Sequence, residues 1–237
     1  MALGRQTTFT WLGHATFLIG TPGGKTLILD PWLRDNPACP ERFKNPGPVD
    51  AVLITHGHFD HMGDAVEVAA RGDPPVIGAF ELCAWLEGRG VRNTVGMNLG
   101  GATEVAGLRV HMVRADHGSG IATDSGMVYG GPAAGYVIEM ENGFKVYCAG
   151  DTALFGDMTL IGELYSPDLA ILPIGGLYTM DALQAARACR MLGVEHVIPA
   201  HYKTFPALTQ SADQLIEAVR EVKRLKVHVL APGQTLG

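Results

Sequence analysis

The stretch "THGHFDH", Thr55 to His61, follows directly on the apolar run "AVLI", Ala51 to Ile54. A short apolar run of this kind reads as a buried strand. The residues that follow it carry three imidazoles and a carboxylate. In extended backbone alternate side chains share one side, so His56 and His58 converge if the strand continues. Asp60 and His61 fall on the following turn, which aims them at a neighbouring point. A lone histidine in a core is usually a satisfied polar group. Four potential ligands within six residues are different, because unpaired buried imidazoles and carboxylates are costly. The layout suits two adjacent metal ions better than one. Neutral imidazole and carboxylate accept zinc, manganese, iron or nickel, and the spacing does not choose among them.

Outward from this stretch the chain alternates strand-like and helix-like segments. "TFTWLGHATFLIG" and "KTLILD" read as strands around the "TPGG" turn, Thr21 to Gly24. "GDAVEVAARG" and "FELCAWLEGRG" have helical spacing, with "PPVIGA" as a strand between them. "LRVHMVRADH" is a further strand. Asn142-Gly143 marks a hairpin inside "GYVIEMENGFKVYCAGD". "LAILPIGG" and "EHVIPAHY" read as buried strands, and "DALQAARACRMLG" and "SADQLIEAVREVKRL" as helices. Ser211 and Gln214 have capping-box spacing at the start of the second helix, and "KVHVLAPGQ" reads as a last strand. This order predicts a layered α/β protein, taken as one domain over residues 1–237.

Further ligands are expected where other apolar strands end. His117 closes "VHMVRADH", Asp151 closes "KVYCAGD" and His201 closes "HVIPAH". Together they complete a two-metal set. His56, His58 and His117 hold one ion, Asp60, His61 and His201 hold the other, and Asp151 bridges both.

Composition narrows the function classes. The net charge of −6 argues against a nucleic-acid partner, which usually meets a basic face. "MALGRQTTFTWLGH" lacks the apolar core of a signal peptide, no run approaches the length of a membrane helix, and the expected location is the cytoplasm. Cys39, Cys83, Cys148 and Cys189 are far apart and form no C-x-x-C, so neither a disulfide framework nor a thiolate zinc site is expected.

"THGHFDH", the "GDT" at Gly150 to Thr152 and the "PAHY" at Pro199 to Tyr202 resemble the metallo-β-lactamase superfamily. "WLGHATFLI", "LDPWL", "GDAVEVA", "MNLGG", "GDTALFGDMTLIGELYSPDLAILPIGG" and "IPAHYKTFP" narrow the resemblance to small prokaryotic YtkL-like metal-dependent hydrolases (a UPF family), near the ascorbate-phosphate lactonases. The resemblance covers nearly the whole chain. It implies a four-layer αββα sandwich with the site at one edge of the two sheets. The branch usually reads Asn where Leu177 stands, an acidic residue where Gln184 stands and His where Cys148 stands, so preference at the pocket rim is expected to differ while the metal chemistry is kept. A carboxylate at Asp151 points away from a true β-lactamase, and His58 in place of Glu away from a flavo-di-iron site. The spacing from Asp151 to His201 leaves no room for a nucleic-acid-processing insertion.

These readings predict a hydrolase with two divalent ions, zinc foremost, whose shared hydroxide cleaves a small ester, lactone or phosphoester. Asp60 is expected to bind metal and orient the nucleophile. Asp30 is expected to accept a hydrogen bond from a ligand histidine, against its alternative as a turn residue before Pro31. His14 is a candidate for substrate contact or proton transfer, its alternative a hydrogen-bonded structural histidine. Tyr178, Tyr202 and Lys203 adjoin the site loops and are candidate substrate contacts, with plain surface placement the alternative. The Gly-rich "HGSGIATDSGMVYGG" after His117 reads as a lid or an ordinary loop. His111, His196 and His228 receive no role. The competing readings are a persulfide-dioxygenase-like oxidoreductase with a single iron and a metal-binding module without turnover. The partner is a small molecule rather than a nucleic acid or membrane, and self-association stays open.

Overall fold

A computed structural model of the chain describes residues 6–237. Residues 1–5, where the segment read for a leader begins, lie outside the described residues. The N-terminal half runs β1 (Thr8–Trp11), β2 (Phe17–Gly20), β3 (Thr26–Leu29), β4 (Ala51–Leu53), α1 (Phe59–Met62), α2 (Ala65–Ala69), β5 (Val76–Ala79), α3 (Phe80–Glu87) and β6 (Thr94–Met97). The rest runs β7 (Ala102–Val105), β8 (Leu108–Arg114), β9 (Gly120–Thr123), β10 (Gly126–Tyr129), β11 (Ala134–Glu139), β12 (Lys145–Cys148), α4 (Met158–Tyr165), β13 (Leu169–Pro173), α5 (Ala182–Leu192), β14 (His196–Ala200), α6 (Asp213–Val219), β15 (Lys226–Val227) and β16 (Thr235–Leu236).

Period-two alternation splits the first strands between two cores. Leu27, Leu29, Ala51, Leu53 and Ile77 face inward, against residues from β8, β11, β12, β13 and β14. Ile28, Val52, Ile54 and Val76 face outward, onto Val68, Leu82 and Leu86 of α2 and α3. Strands buried on both faces read as continuous apolar runs, which is why "AVLI" shows no polar alternation. Each fully buried Leu or Ile contributes about 1.5–3 kcal/mol of transfer free energy. The layers are therefore helices, sheet, sheet and helices, with α4, α5 and α6 packed together on the far side. This is the four-layer αββα sandwich.

The two sheets share a plan. One has the order β16-β1-β2-β3-β4-β5-β6 and the other β15-β14-β13-β12-β11-β8-β7. In each, one half pairs antiparallel and the other parallel. The pairings make β1, β3 and β4 run one way in the first sheet, and β8, β12, β13 and β14 run one way in the second. Their C-terminal ends carry His14, Asp30 and "THGHFDH" in one sheet, and His117, Asp151 and His201 in the other. Open α/β sheets bind ligands beyond such strand ends.

Several local expectations are corrected. "TFTWLGHATFLIG" is a hairpin, β1 and β2, broken at Gly13 and His14, which both have positive φ. Ser211 does not cap α6: the cap position is Ala212 with no side-chain bond, and Ser211 Oγ instead contacts Asp213 Oδ2 at 3.0 Å. The capping box forms on α5, where Asp181 accepts from the Gln184 backbone and the Gln184 side chain accepts from the Asp181 backbone. Gln184, a departure from the resembled family, thus has a helix-starting role. "KVHVLAPGQ" is not the last strand: only Lys226–Val227 pairs, and the chain returns to lay β16 beside β1. The four cysteines are free and buried, with Cys148 in the shared core, where burial pushes its thiol well up. Among the described residues no helix is long and apolar enough to cross a membrane.

Candidate metal centre

The local sequence explains how the donors are aimed. After Leu53 the strand ends, the chain bends at Gly57, and His58, extended at φ −71° and ψ 149°, caps α1. α1 is a single turn and swings Asp60 and His61 back over the strand end. Asp151 follows Gly150, whose φ of +62° suits glycine. A Cβ there would sit 2.7 Å from Thr55 Cβ and 2.9 Å from the Ala134 carbonyl oxygen, so only glycine lets the two sheet edges approach this closely. His14, Asp30 and His201 all have left-handed backbone, at φ 56°, 46° and 53°. That conformation costs an ordinary residue about 1–2 kcal/mol, and its recurrence at one strand edge marks a functional site.

The site residues expected from distant strands meet here. Asp151 Oδ2 lies 3.3 Å from His61 Nε2, 3.6 Å from His117 Nε2 and 2.9 Å from His201 Nε2. Three donor sets close within 4.8 Å: His14, Asp60, His61 and His201; His56, His58 and His117; and His56, His61 and Asp151. The third set joins Asp151 to one member of each of the other two, which are the groups anticipated for separate ions apart from the addition of His14.

Behind the donors lies a hydrogen-bond frame. Asp30 is fully buried and accepts from the Thr55 amide at 2.7 Å, Thr55 Oγ1 at 2.8 Å and His61 Nδ1 at 2.8 Å. Because the Thr55 hydroxyl spends its proton on Asp30, its oxygen accepts from His56 Nδ1 at 3.0 Å. Both imidazoles are thus fixed with Nδ1 as donor and Nε2 turned toward the other donors, as metal ligation requires. Asp30 stands as the acceptor rather than as a mere turn residue. Thr55 received no role from the sequence, although it opens the quoted stretch; a hydroxyl between a strand end and a histidine was its only signal.

His14 does not reach the cleft. It is fully buried, donates through Nε2 to Asp60 Oδ2 at 2.9 Å, and places Nδ1 3.0 Å from Thr204 Oγ1. With both nitrogens engaged it is neither a free ligand nor a substrate contact, and it acts on Asp60 instead. Tyr178 lines the cleft, whereas Tyr202 is buried and stacked on Trp11 at 5.2 Å, and Lys203 borders a separate groove. The expected substrate contacts of Tyr202 and Lys203 are corrected accordingly. The Gly-rich segment after His117 is the β9–β10 hairpin over the cleft, seated by Ile121 against Gly57. His111 packs on Tyr165, and His196 pairs with His228, all away from the donors.

The electrostatics favour positive charge at the strand edge. Burial disfavours charge on His61, yet Asp151 and Asp30 outweigh it and hold this imidazole well above its usual range. Burial raises the Asp151 carboxyl, and His61 and His201 outweigh it in the other direction. Burial, the largest influence on Asp60, acts upward, but the His14 hydrogen bond and the neighbouring imidazoles bring this carboxyl down to about 2. Burial lowers His14 to about 4 and also lowers His56, His58 and His117, which favours the neutral, ligating form.

These donors fit a metal. His61 Nε2, His201 Nδ1 and Asp151 Oδ1 are buried without a hydrogen-bond partner. Unpaired buried groups cost about 1–3 kcal/mol each. The unpaired His61 Nε2 lies 3.3 Å from Asp151 Oδ2, so a cation held there would satisfy His61 Nε2 and Asp151 together.

Comparison with known proteins identifies relatives of the chain. A family model described as a beta-lactamase superfamily domain matches residues 25–202. A UPF0173 metal-dependent hydrolase of Rubrobacter xylanophilus is 48% identical over 233 residues, covering 98% of this chain and 96% of the relative. One from Koribacter versatilis is 48% identical over 226 residues, covering 95% and 96%. Among solved structures, Igni18, a metallo hydrolase of the archaeon Ignicoccus hospitalis, superposes with a TM-score of 0.85 at 36% identity over 97% of both chains.

Proposed function

The chain belongs to the beta-lactamase superfamily and is a metal-dependent hydrolase of it, and from that premise we propose that it is a dinuclear enzyme cleaving a small ester, lactone or phosphoester. His56, His58 and His117 would hold one ion, Asp60, His61 and His201 the other, and Asp151 would serve both. The all-imidazole-and-carboxylate donor set suits zinc, with manganese, iron or nickel as further candidates. Ions bound here supply Lewis acidity toward a substrate oxygen and lower the pKa of water to about 7.

The chain's own residues do the positioning. Asp30 and Thr55 hold His61 and His56 in one tautomer. His14 holds Asp60 by its Oδ2, and the low pKa keeps that carboxylate ionised at neutral pH. Asp60 lines the cleft beside His58, His117, Asp151 and His201, so its charge is available to orient an attacking water. The observation that carries the proposal is the approach of three histidine Nε2 atoms, from α1 and the segments that follow β8 and β14, to one oxygen of Asp151.

Asp60→Asn tests the assignment. In metal-loaded protein the variant is expected to keep its fold by circular dichroism and to lose about 100-fold in kcat, the lower end of what a positioned acid–base group contributes. Turnover equal to wild type in the loaded variant would remove Asp60 from the mechanism.

A further inference from the structure

The cleft over the donors is a cavity of about 540 Å³, a size that suits a small-molecule ligand. Its floor is the donor set already described. Its walls are Phe59, Ala122, Met127, Tyr178, Phe205 and Ala207, drawn from α1, both strands of the β9–β10 hairpin and two loops of the second half. Among the described residues no lysine, arginine, asparagine or glutamine contributes to the lining. Phe59, Met127 and Tyr178 are 60%, 69% and 59% exposed. Single exposed apolar residues need no explanation, but apolar side chains gathered on one concavity mark a binding surface. Beyond what metal ions neutralise, the remaining charge of an anionic substrate is met by arginine or lysine, usually with bidentate geometry. These walls offer neither, and Lys203, next to the site loops in sequence, borders a different groove.

Resting on the hydrolase reading above, we infer that the substrate is a neutral carboxylic ester or lactone with an apolar alkyl or aryl group, held by the wall of Phe59, Met127, Tyr178 and Phe205, rather than a phosphoester. Hydrolysis of such a bond needs only water: the acyl carbon–oxygen bond breaks, the acyl carbon takes the water oxygen, and the leaving alcohol takes a proton. The wall grips the part of the substrate remote from that bond. Each methylene it buries is worth about 0.8 kcal/mol, close to fourfold in affinity.

Two series test this on the metal-loaded protein. The first measures kcat/KM for p-nitrophenyl acetate, butyrate, hexanoate and octanoate beside p-nitrophenyl phosphate. The second measures calorimetric binding of the neutral amides butanamide, hexanamide and octanamide, which reads the wall without requiring turnover. Affinity and kcat/KM are expected to rise about fourfold per methylene, with the phosphate at least about 100-fold below the butyrate. Met127→Asp and Phe205→Ala are expected to flatten the slope below about twofold per methylene. Ester hydrolysis with no chain-length slope, or with the phosphate preferred, would overturn the substrate class while leaving the hydrolase reading intact. A steep amide series in protein that hydrolyses no ester would uphold the apolar wall and overturn the ester-hydrolase reading. Amides that bind without a slope would overturn the wall itself.

Discussion

Asp151→Asn is expected to lower kcat/KM by about 10⁴-fold or more and to strip metal from the protein during gel filtration. Asp151 Oδ2 is the atom on which His61, His117 and His201 converge, and its Oδ1 is buried without another partner. Asparagine has nearly the same shape, so packing is kept. Its side chain, however, brings no charge to oppose several imidazoles and the cations they bind. A catalytic metal ion is worth several kcal/mol of transition-state charge stabilisation. At 1.36 kcal/mol per decade, about 5 kcal/mol corresponds to roughly 10⁴-fold. Elemental analysis and kinetics on the same preparation check both halves. Full metal content with wild-type turnover would remove Asp151 from the centre.

Asp30→Ala is expected to be the most damaging substitution for stability outside the apolar core. Asp30 never touches the cleft, yet three donors end on it. Its removal strands the Thr55 amide and His61 Nδ1 in a fully buried position. Breaking a buried charged pair costs about 3–5 kcal/mol. The Thr55 hydroxyl then loses the partner that orients it toward His56, so both imidazoles lose their fixed tautomer. Outer partners of metal ligands contribute about 10–100-fold in metal affinity. Urea denaturation and metal titration are expected to show both losses together. Asp30→Asn keeps one acceptor oxygen and is expected to fall between wild type and alanine in each measurement. A wild-type urea midpoint in Asp30→Ala would refute the frame.

How much of this was readable from the chain depends on the reach of each interaction. "THGHFDH" was legible because its donors are local and follow an apolar strand. His117, Asp151 and His201 were legible because each ends a strand, and parallel strand ends gather ligands whatever the loops do. His14 was legible as a site residue but not in its role. Its donation to Asp60 depends on the β1–β2 turn meeting α1 across 46 residues of sequence, which no local pattern encodes. A separation of 25 residues likewise hid the relay from Asp30 through Thr55 to His56. The β9–β10 hairpin was missed because "GIATDSGMVY" is rich in glycine and small polar residues, and its outer strand is exposed throughout. β16 was missed because two residues carry no periodicity; only pairing with β1 makes them a strand. At α6 the Ser211–Gln214 spacing is right for a capping box, but the helix begins after Ala212, so the spacing misleads by its register.

The most direct test of the paired-cation centre is a metal titration of chelated protein, followed by elemental analysis after desalting. Two zinc or manganese ions per chain are expected, with hydrolysis restored in step with binding. A single ion per chain at saturation, with full turnover, would contradict the dinuclear centre built on Asp151.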